Sequence, residues 1–415
     1  MKWCVSLLNL SMKFRLGINY WPVSSAMYWW RQFDVEEVRR DFARISAAGF
    51  DSVRVFLLWE DFQPTPERIA DEQLERLVTV ADTAMSNNLS LMPTLFTGHM
   101  SGVNWIPPWA LNDGESAARF RIVSGGKVVR ASMTNWYRDQ EISSAQARLA
   151  SEVAVAIGDH PALWAYDLGN ENSNCVVPPS HELGLAWLDR IAGAIRSVDT
   201  KHPITIGLHM EDLEEDRKIG PSEAAAVCDF LCMHGYPIYT KWSFGPTDPM
   251  ILPFLGLITR WLGGRDVLFE EFGTPTLPGF IEGEGQSVRA TKVPLLAEEE
   301  AADFIHHALH ALQKFGFSGA MLWCYSDYDQ KLWVKPPLDD ATHERYFGLW
   351  RNDYSPKPAL LEIEKLAGFE RSKPRDNFDW IEISPEEYYL SPGEHLRHLY
   401  QLFRQRYQEN EWEHL

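Results

Sequence analysis

No apolar run in the 415 residues approaches the roughly 18 needed to cross a bilayer, so no membrane-spanning helix is expected. Basic residues are also few, 39 Lys and Arg against 58 Asp and Glu, and the formal charge of -19 removes the basic face that phosphate binding requires. Nucleic acid is therefore not the expected partner. Cysteine is sparse and odd in number: Cys4, Cys175, Cys228, Cys232 and Cys324 are scattered, which argues against a disulfide framework and fits a reducing, cytoplasmic compartment. Cys228 and Cys232 have no second pair at zinc spacing and read as buried apolar thiols. The first thirteen residues lack the small-residue cleavage site of a secretory leader; none is expected, and Met12 is a candidate start. No Gly-x-Gly-x-x-Gly follows the first strand-like run, which leaves a dinucleotide without its usual site.

What is present is aromatic and periodic. Seventeen Trp and fourteen Tyr supply flat rings with a polar handle, many of them core fillers and the rest suited to the C–H faces of sugars. Apolar residues, at 45%, suffice for a large core. Strand-like runs at 15–20, 52–56, 90–96, 163–168, 204–208, 230–233, 267–270 and 319–323 alternate with amphipathic stretches at 35–48, 71–87, 144–157, 182–197, 298–315 and 359–367. Eight such units with right-handed crossovers imply an α/β fold, a closed (β/α)8 TIM barrel over residues 14–367, in preference to an open doubly wound sheet. Residues 1–13 read as an N-terminal extension and 368–415 as a partly helical C-terminal extension that packs on the barrel, joins subunits into a homo-oligomer or lies loose. The connections 97–141 and 324–354 are long and rich in Trp and Tyr, as expected of loops at a barrel's catalytic face.

Two carboxylates end short apolar runs: Glu171 in Leu168-Gly169-Asn170-Glu171-Asn172 and Glu271 in Phe269-Glu270-Glu271-Phe272-Gly273. Two acids at different strand tips can divide the work of a retaining glycosidase, one protonating the leaving oxygen while the other attacks the sugar carbon from about 5 Å away. Arg54 sits inside the strand 52–56, opposite in alternation to Val53 and Val55; buried there, it needs a carboxylate partner and would lower that partner's pKa. Tyr236, in His234-Gly235-Tyr236, could aim the nucleophile, and Trp323 could floor the sugar subsite. His99 and His209, at strand tips, could bind sugar hydroxyls.

Arg54, Asn170-Glu171, His234-Gly235-Tyr236, Glu271-Phe272-Gly273 and Trp323, in this order on these strands, resemble the signature of glycoside hydrolase clan A, family 5, which holds mannanases, β-mannosidases and cellulases. The resemblance covers 14–367 and implies a retaining double displacement on β-linked mannosides without cofactor or metal. It makes Glu171 the acid/base with a raised pKa, Glu271 the nucleophile with a lowered one, and Asn170 the partner of the sugar 2-hydroxyl. Glu270 competes for the nucleophile's role; strand alternation allows only one of the neighbours to point inward, and the family pattern selects Glu271. Asn172 stands where many cellulase-like members carry Pro, a departure from the cellulase branch, while Gly17-Ile18-Asn19-Tyr20-Trp21-Pro22 and Trp59-Glu60-Asp61-Phe62-Gln63-Pro64 look more like exo-acting or mannan-directed relatives and also like clan A β-galactosidases. A β-mannoside is the expected substrate, with a β-glucosidase, cellulase or β-galactosidase of the same mechanism as the alternative. A metal-dependent hydrolase built on His99, His209 and His234 and a non-catalytic sugar-binding barrel are the readings from other classes.

Overall fold

The computed structural model describes residues 13–114, 118–278 and 293–408; the expectations for Cys4, Met12 and the two ends of the chain lie outside them. Eight parallel strands, β1 (Arg15–Asn19), β2 (Ser52–Phe56), β3 (Ser90–Thr94), β4 (Tyr166–Asn170), β5 (Ile204–Gly207), β6 (Leu231–His234), β7 (Val267–Phe272) and β8 (Gly319–Leu322), form one sheet. They stand in the order β5-β4-β3-β2-β1-β8-β7-β6. The two outer strands meet through the bridge between His209 and His234 and the bond from His234 N to Leu208 O at 2.8 Å, which brings the sheet to a nearly closed TIM barrel.

Eight helices follow the strands in turn: α1 (Val35–Ala47), α2 (Asp71–Ser86), α3 (Gln140–Ile157), α4 (His181–Arg196), α5 (Pro221–Val227), α6 (Ile251–Gly263), α7 (Glu298–Lys314) and α8 (Ala359–Leu366). Several starts are written in the sequence. Asp34 accepts from the backbone of Glu36 and Glu37 ahead of α1, and Asp139 from Glu141 and Ile142 ahead of α3, where a carboxylate satisfies amides that lack a helical partner. Gly264, at φ +65°, ends α6 in the left-handed conformation that favours glycine.

Both strands that end in the candidate acids carry one extra residue. On β4 the register moves from Asp167 opposite Thr205 to Asn170 opposite Gly207, and on β7 from Phe269 opposite Met233 to Glu271 opposite His234. Such a bulge breaks the two-residue alternation and re-aims the side chains beyond it. As a result Glu270 and Glu271 are both buried and both face the barrel's central cations, contrary to the expectation that only one can turn inward.

Two other features were not read from the sequence. The segment after β3 is not structureless: its strands His99–Met100, Val103–Trp105, Arg121–Ser124 and Lys127–Val129 form a small sheet, each too short to show a period. Helices α5 and α6 are not among the stretches read from the sequence: α5 is only seven residues long, and α6 is largely apolar, with eleven of its residues, Thr259 and Arg260 among them, buried. The second case is explained by the C-terminal extension, which packs on the barrel. Its helix α9 (Pro392–Gln408) lays Tyr400 and Phe403 against Phe254 of α6, with ring centroids 4.9 and 5.5 Å apart, so α6 has no wet face. The Tyr388 hydroxyl donates to Leu213 O at 2.6 Å and ties the extension to the loop after β5. Among the described residues no helix is long and apolar enough to cross a membrane.

Candidate active site

Arg54 is the hub of the barrel mouth. Fully buried on β2, it donates from Nη1 to Glu271 Oε1 at 2.6 Å and Asn19 Oδ1 at 3.1 Å, and from Nη2 to Asp167 Oδ2 at 2.7 Å and Asn170 Oδ1 at 2.8 Å. Its Nε donates to Thr94 Oγ1 at 2.8 Å and lies 3.3 Å from Glu270 Oε1. A planar fork with five donors suits such divergent acceptors, whereas a lysine would reach few of them. The second oxygen of Glu271 accepts from the Tyr236 hydroxyl at 2.8 Å, so this carboxylate is held at both ends.

Glu171 is held differently. Its backbone is left-handed at φ 47°, ψ 43°, a conformation that costs a residue with a side chain about 1–2 kcal/mol, and its N–H donates to Gly207 O at 3.1 Å. Oε1 lies 3.0 Å from His234 Nδ1, and Oε2 accepts from Asn174 Nδ2 at 3.1 Å. One oxygen of Glu171 lies within 4.8 Å of one of Glu271. Glu171 keeps 15% of its side chain exposed and Glu271 6%, while Asp167 and Glu270 keep none, so only the first two carboxylates can meet a ligand.

The electrostatics reverse the sequence expectation. Burial would raise the Glu171 carboxyl, but His209, His234 and His99 outweigh it and hold it well below the usual carboxylate range. At Glu271 burial also comes first, and with the neighbouring Glu171 charge it prevails over His234, Arg54 and the Tyr236 bond, so this carboxyl is raised. His234 Nδ1, 3.0 Å from Glu171 and 3.6 Å from Glu271, lowers both acids; the order is set by the further pull of His209 and His99 at Glu171 and by burial and the Glu171 charge at Glu271. Burial lowers His234, but Glu271, Glu171 and Glu270 outweigh it and lift the ring to about 10, so it is protonated around neutral pH.

Of the predicted residues, Arg54, Asn170, Glu171, His234, Tyr236 and Glu271 share one hydrogen-bonded network. Trp323, past β8, reaches its rim, with Nε1 3.4 Å from Glu344 Oε2. His99 and His209 act beside it. The His99 carbonyl accepts from Asn170 and its ring meets Asn104 Oδ1 at 2.7 Å, while His209 Nε2 meets Ser173 Oγ at 2.9 Å behind Glu171. Sequence reasoning missed Asn19, Thr94, Asp167 and Asn174. Asp167 had a signal of the same kind as Arg54, a charge inside a buried strand; Asn174 had none, because the left-handed turn that brings it back to Glu171 has no mark in the sequence.

Glu171, His234 and Glu271 are the one group among the described residues with spacing for a cation, and His99 and His209 are not in it. Their ligand atoms already engage Arg54, Tyr236, Asn174 and one another, and we assign no ion to them. Cys175, Cys228, Cys232 and Cys324 are free thiols.

The architecture defines a class, the TIM barrel with two carboxylates at its mouth. No protein-family model matches the chain. By sequence it is similar to the probable mannan endo-1,4-beta-mannosidase A-2 of Aspergillus terreus, with 25% identity over 285 residues, 66% of this chain and 61% of that protein. It is also similar to mannan endo-1,4-beta-mannosidase 3 of Arabidopsis thaliana, with 25% identity over 207 residues, 43% and 47% of the two chains. The chain thus spans only about half to three fifths of the length of these curated relatives. Among solved structures, GH5_18 from Streptomyces cattleya in complex with GlcNAc aligns with TM-score 0.71 and 24% identity over 87% of this chain and 82% of that one. The exo-beta-1,4-mannosidase Op5Man5 from Opitutaceae bacterium strain TAV5 aligns with TM-score 0.69 and 25% identity, covering 85% and 59%. The comparisons and the motif set therefore agree on a likeness to the mannosidases and mannanases of family 5, clan A.

Proposed function

We propose that this protein is a retaining glycoside hydrolase acting on β-linked mannosides. The observation that carries the reading is the approach of Glu171 and Glu271, within 4.8 Å from the tips of β4 and β7. That separation suits direct attack on the sugar and leaves no room for the water an inverting enzyme puts between its acids. Glu271, aimed by Arg54 and Tyr236, attacks the anomeric carbon, and the aglycone oxygen leaves with a proton from Glu171. Glu171 then takes a proton from water as that water displaces Glu271. Asn170 offers an amide to the 2-hydroxyl, and no cofactor enters the scheme.

The mouth's walls favour a pocket for a terminal sugar. The loops after β3 and β8 are joined by Arg121 to Asp339 at 2.8 Å and by Ser101 to Glu344 at 3.0 Å, while the Tyr28 hydroxyl, after β1, donates to Pro336 O. A roof of this kind over one end of the cleft supports exo action. The free thiols support a reducing, cytoplasmic setting. Association of copies through the C-terminal extension would have to use the outer, polar face of α9, because the apolar face is committed to α6; sedimentation velocity tests it. A catalytic barrel over 14–367 with an extension from 368 remains our division of the chain.

Initial rates on matched aryl β-mannoside, β-glucoside and β-galactoside test the function. A clear mannoside preference is expected. Equal rates on all three would remove the mannoside assignment, and inertness towards both these and β-mannan chains would remove the enzyme.

A further inference from the structure

The proposed double displacement uses two carboxylates, yet the barrel mouth buries a third that the reaction does not touch. Glu270 is fully enclosed, and a bare buried carboxylate is costly unless its charge serves a partner. Its Oε2 lies 3.0 Å from His234 Nε2, and the other ring nitrogen, Nδ1, lies 3.0 Å from Glu171 Oε1. The chain Glu270–His234–Glu171 is thus continuous from the barrel's interior to its open face.

Two features show that this contact is built into the fold. The extra residue in β7 is what turns Glu270 inward beside Glu271. On β5, Gly207 lies directly against the pair: a Cβ there would stand 2.9 Å from Glu270 Oε2 and 3.1 Å from His234 Nε2, and no side chain fits without displacing one of them. Oε1 of Glu270 accepts no hydrogen bond and lies 3.3 Å from Arg54 Nε, whose charge also holds the carboxylate, while Oε2 makes the 3.0 Å bond to His234.

We infer that Glu270 is a positioning residue which, by holding Nε2–H of His234, keeps on Nδ1 the proton that Glu171 hands to the leaving oxygen. This deepens the function proposed above and rests on it. Before the reaction the arrangement is imidazolium beside carboxylate. When a sugar displaces water, one proton moves from Nδ1 to Glu171 Oε1, leaving a neutral ring whose Nε2–H still points at Glu270. Glu171 gives the proton to the departing oxygen and regains one from the attacking water; after product leaves, that proton returns to Nδ1. The cycle balances with no other donor. The charged groups against His234 are Glu171 from β4 and Glu270 and Glu271 from β7, which hold the ring charged; behind them Arg54 from β2 pairs with Glu270 and Glu271, Cys232 of β6 bonds Glu270, Tyr236 bonds Glu271, and His209 after β5 is bridged to His234 through the backbone.

The test compares wild type, Glu270→Gln and Glu270→Asp on a phenyl β-mannoside, which needs protonation to leave, and on a dinitrophenyl β-mannoside, which does not. Glu270→Gln is expected to lower kcat/KM on the phenyl substrate about tenfold to hundredfold and to move the basic limb of its pH profile down by about one unit or more. The dinitrophenyl rate should fall far less, and Glu270→Asp should bring the basic limb back. Equal losses on both substrates, or an unmoved limb, would overturn the inference. A nitrogen-15 spectrum of wild-type His234 decides independently of turnover and of whether the variants fold. Both ring nitrogens should be protonated at about pH 8, well above the ordinary histidine range; a neutral ring protonated only on Nδ1 would refute it. If wild type cleaves no β-glycoside, the proposed function fails while this spectrum still reports on the Glu270–His234 pair.

Discussion

The tips of β4 and β7 hold the same residue type in unlike surroundings. Glu271 is gripped at both oxygens by groups that stay put, a guanidinium at 2.6 Å and a phenol at 2.8 Å. Glu171 sits on a left-handed turn beside the His234 imidazole, which can gain or lose a proton, and keeps more of itself in solvent. A group that must attack benefits from fixed aim, and one that must trade protons benefits from neighbours that titrate. Under the proposed double displacement, the difference between the tips teaches that role follows the neighbours rather than the residue.

The largest break in that comparison should come from Glu271→Ala, with turnover falling on the order of 10⁴-fold or more as the covalent route closes. Added azide should restore rate and yield an α-glycosyl azide, identified by NMR; a β product would transfer the nucleophile's role elsewhere. Glu171→Ala should cost about 10²–10⁴-fold on a poor leaving group and much less on an activated one, with azide giving the β product. Tyr236→Phe removes one charged hydrogen bond of about 1.5–3 kcal/mol, so kcat should drop roughly tenfold to hundredfold with KM little changed, read from saturation curves.

The smallest effect is on stability. The His234 value in the folded protein is raised to about 10 from an ordinary 6.5, so its pairing contributes stability that is fully present below about 6.5 and lost as pH rises through about 10. Glu171 works in the opposite sense: its lowered value contributes stability present above the ordinary 4.5 and lost as pH falls through the lowered one. Melting temperature followed by calorimetry should therefore decline on the alkaline side from near-neutral pH to about 10, and His234→Asn should flatten that decline.

Much of this was legible in the chain because barrel strands are short apolar runs ending in polar tips, and Arg54, Glu171, Tyr236 and Glu271 stand on such runs. What was not legible depends on register and on remote partners. The bulge that turns both Glu270 and Glu271 inward exists only in how β7 pairs with β6 and β8, and period-two reasoning gave the wrong facing for that reason. The pKa order of the two acids failed on the same ground, because His234, His209 and His99 converge on Glu171 from separate strands. The glycine after Phe272, by contrast, carried a clear message, since a side chain at Gly273 would stand 2.2 Å from the Trp323 carbonyl oxygen.

The covering of α6 by α9 has a consequence for how the protein is made. A largely apolar helix is synthesised long before the segment that shields it, so while the chain grows, Phe254 and its neighbours face water. Nascent chains carrying α6 without α9 are candidates for chaperone capture and self-association. A chain stopped just before Pro392 should collect in the insoluble fraction on expression, even though all eight strands and both acids are present.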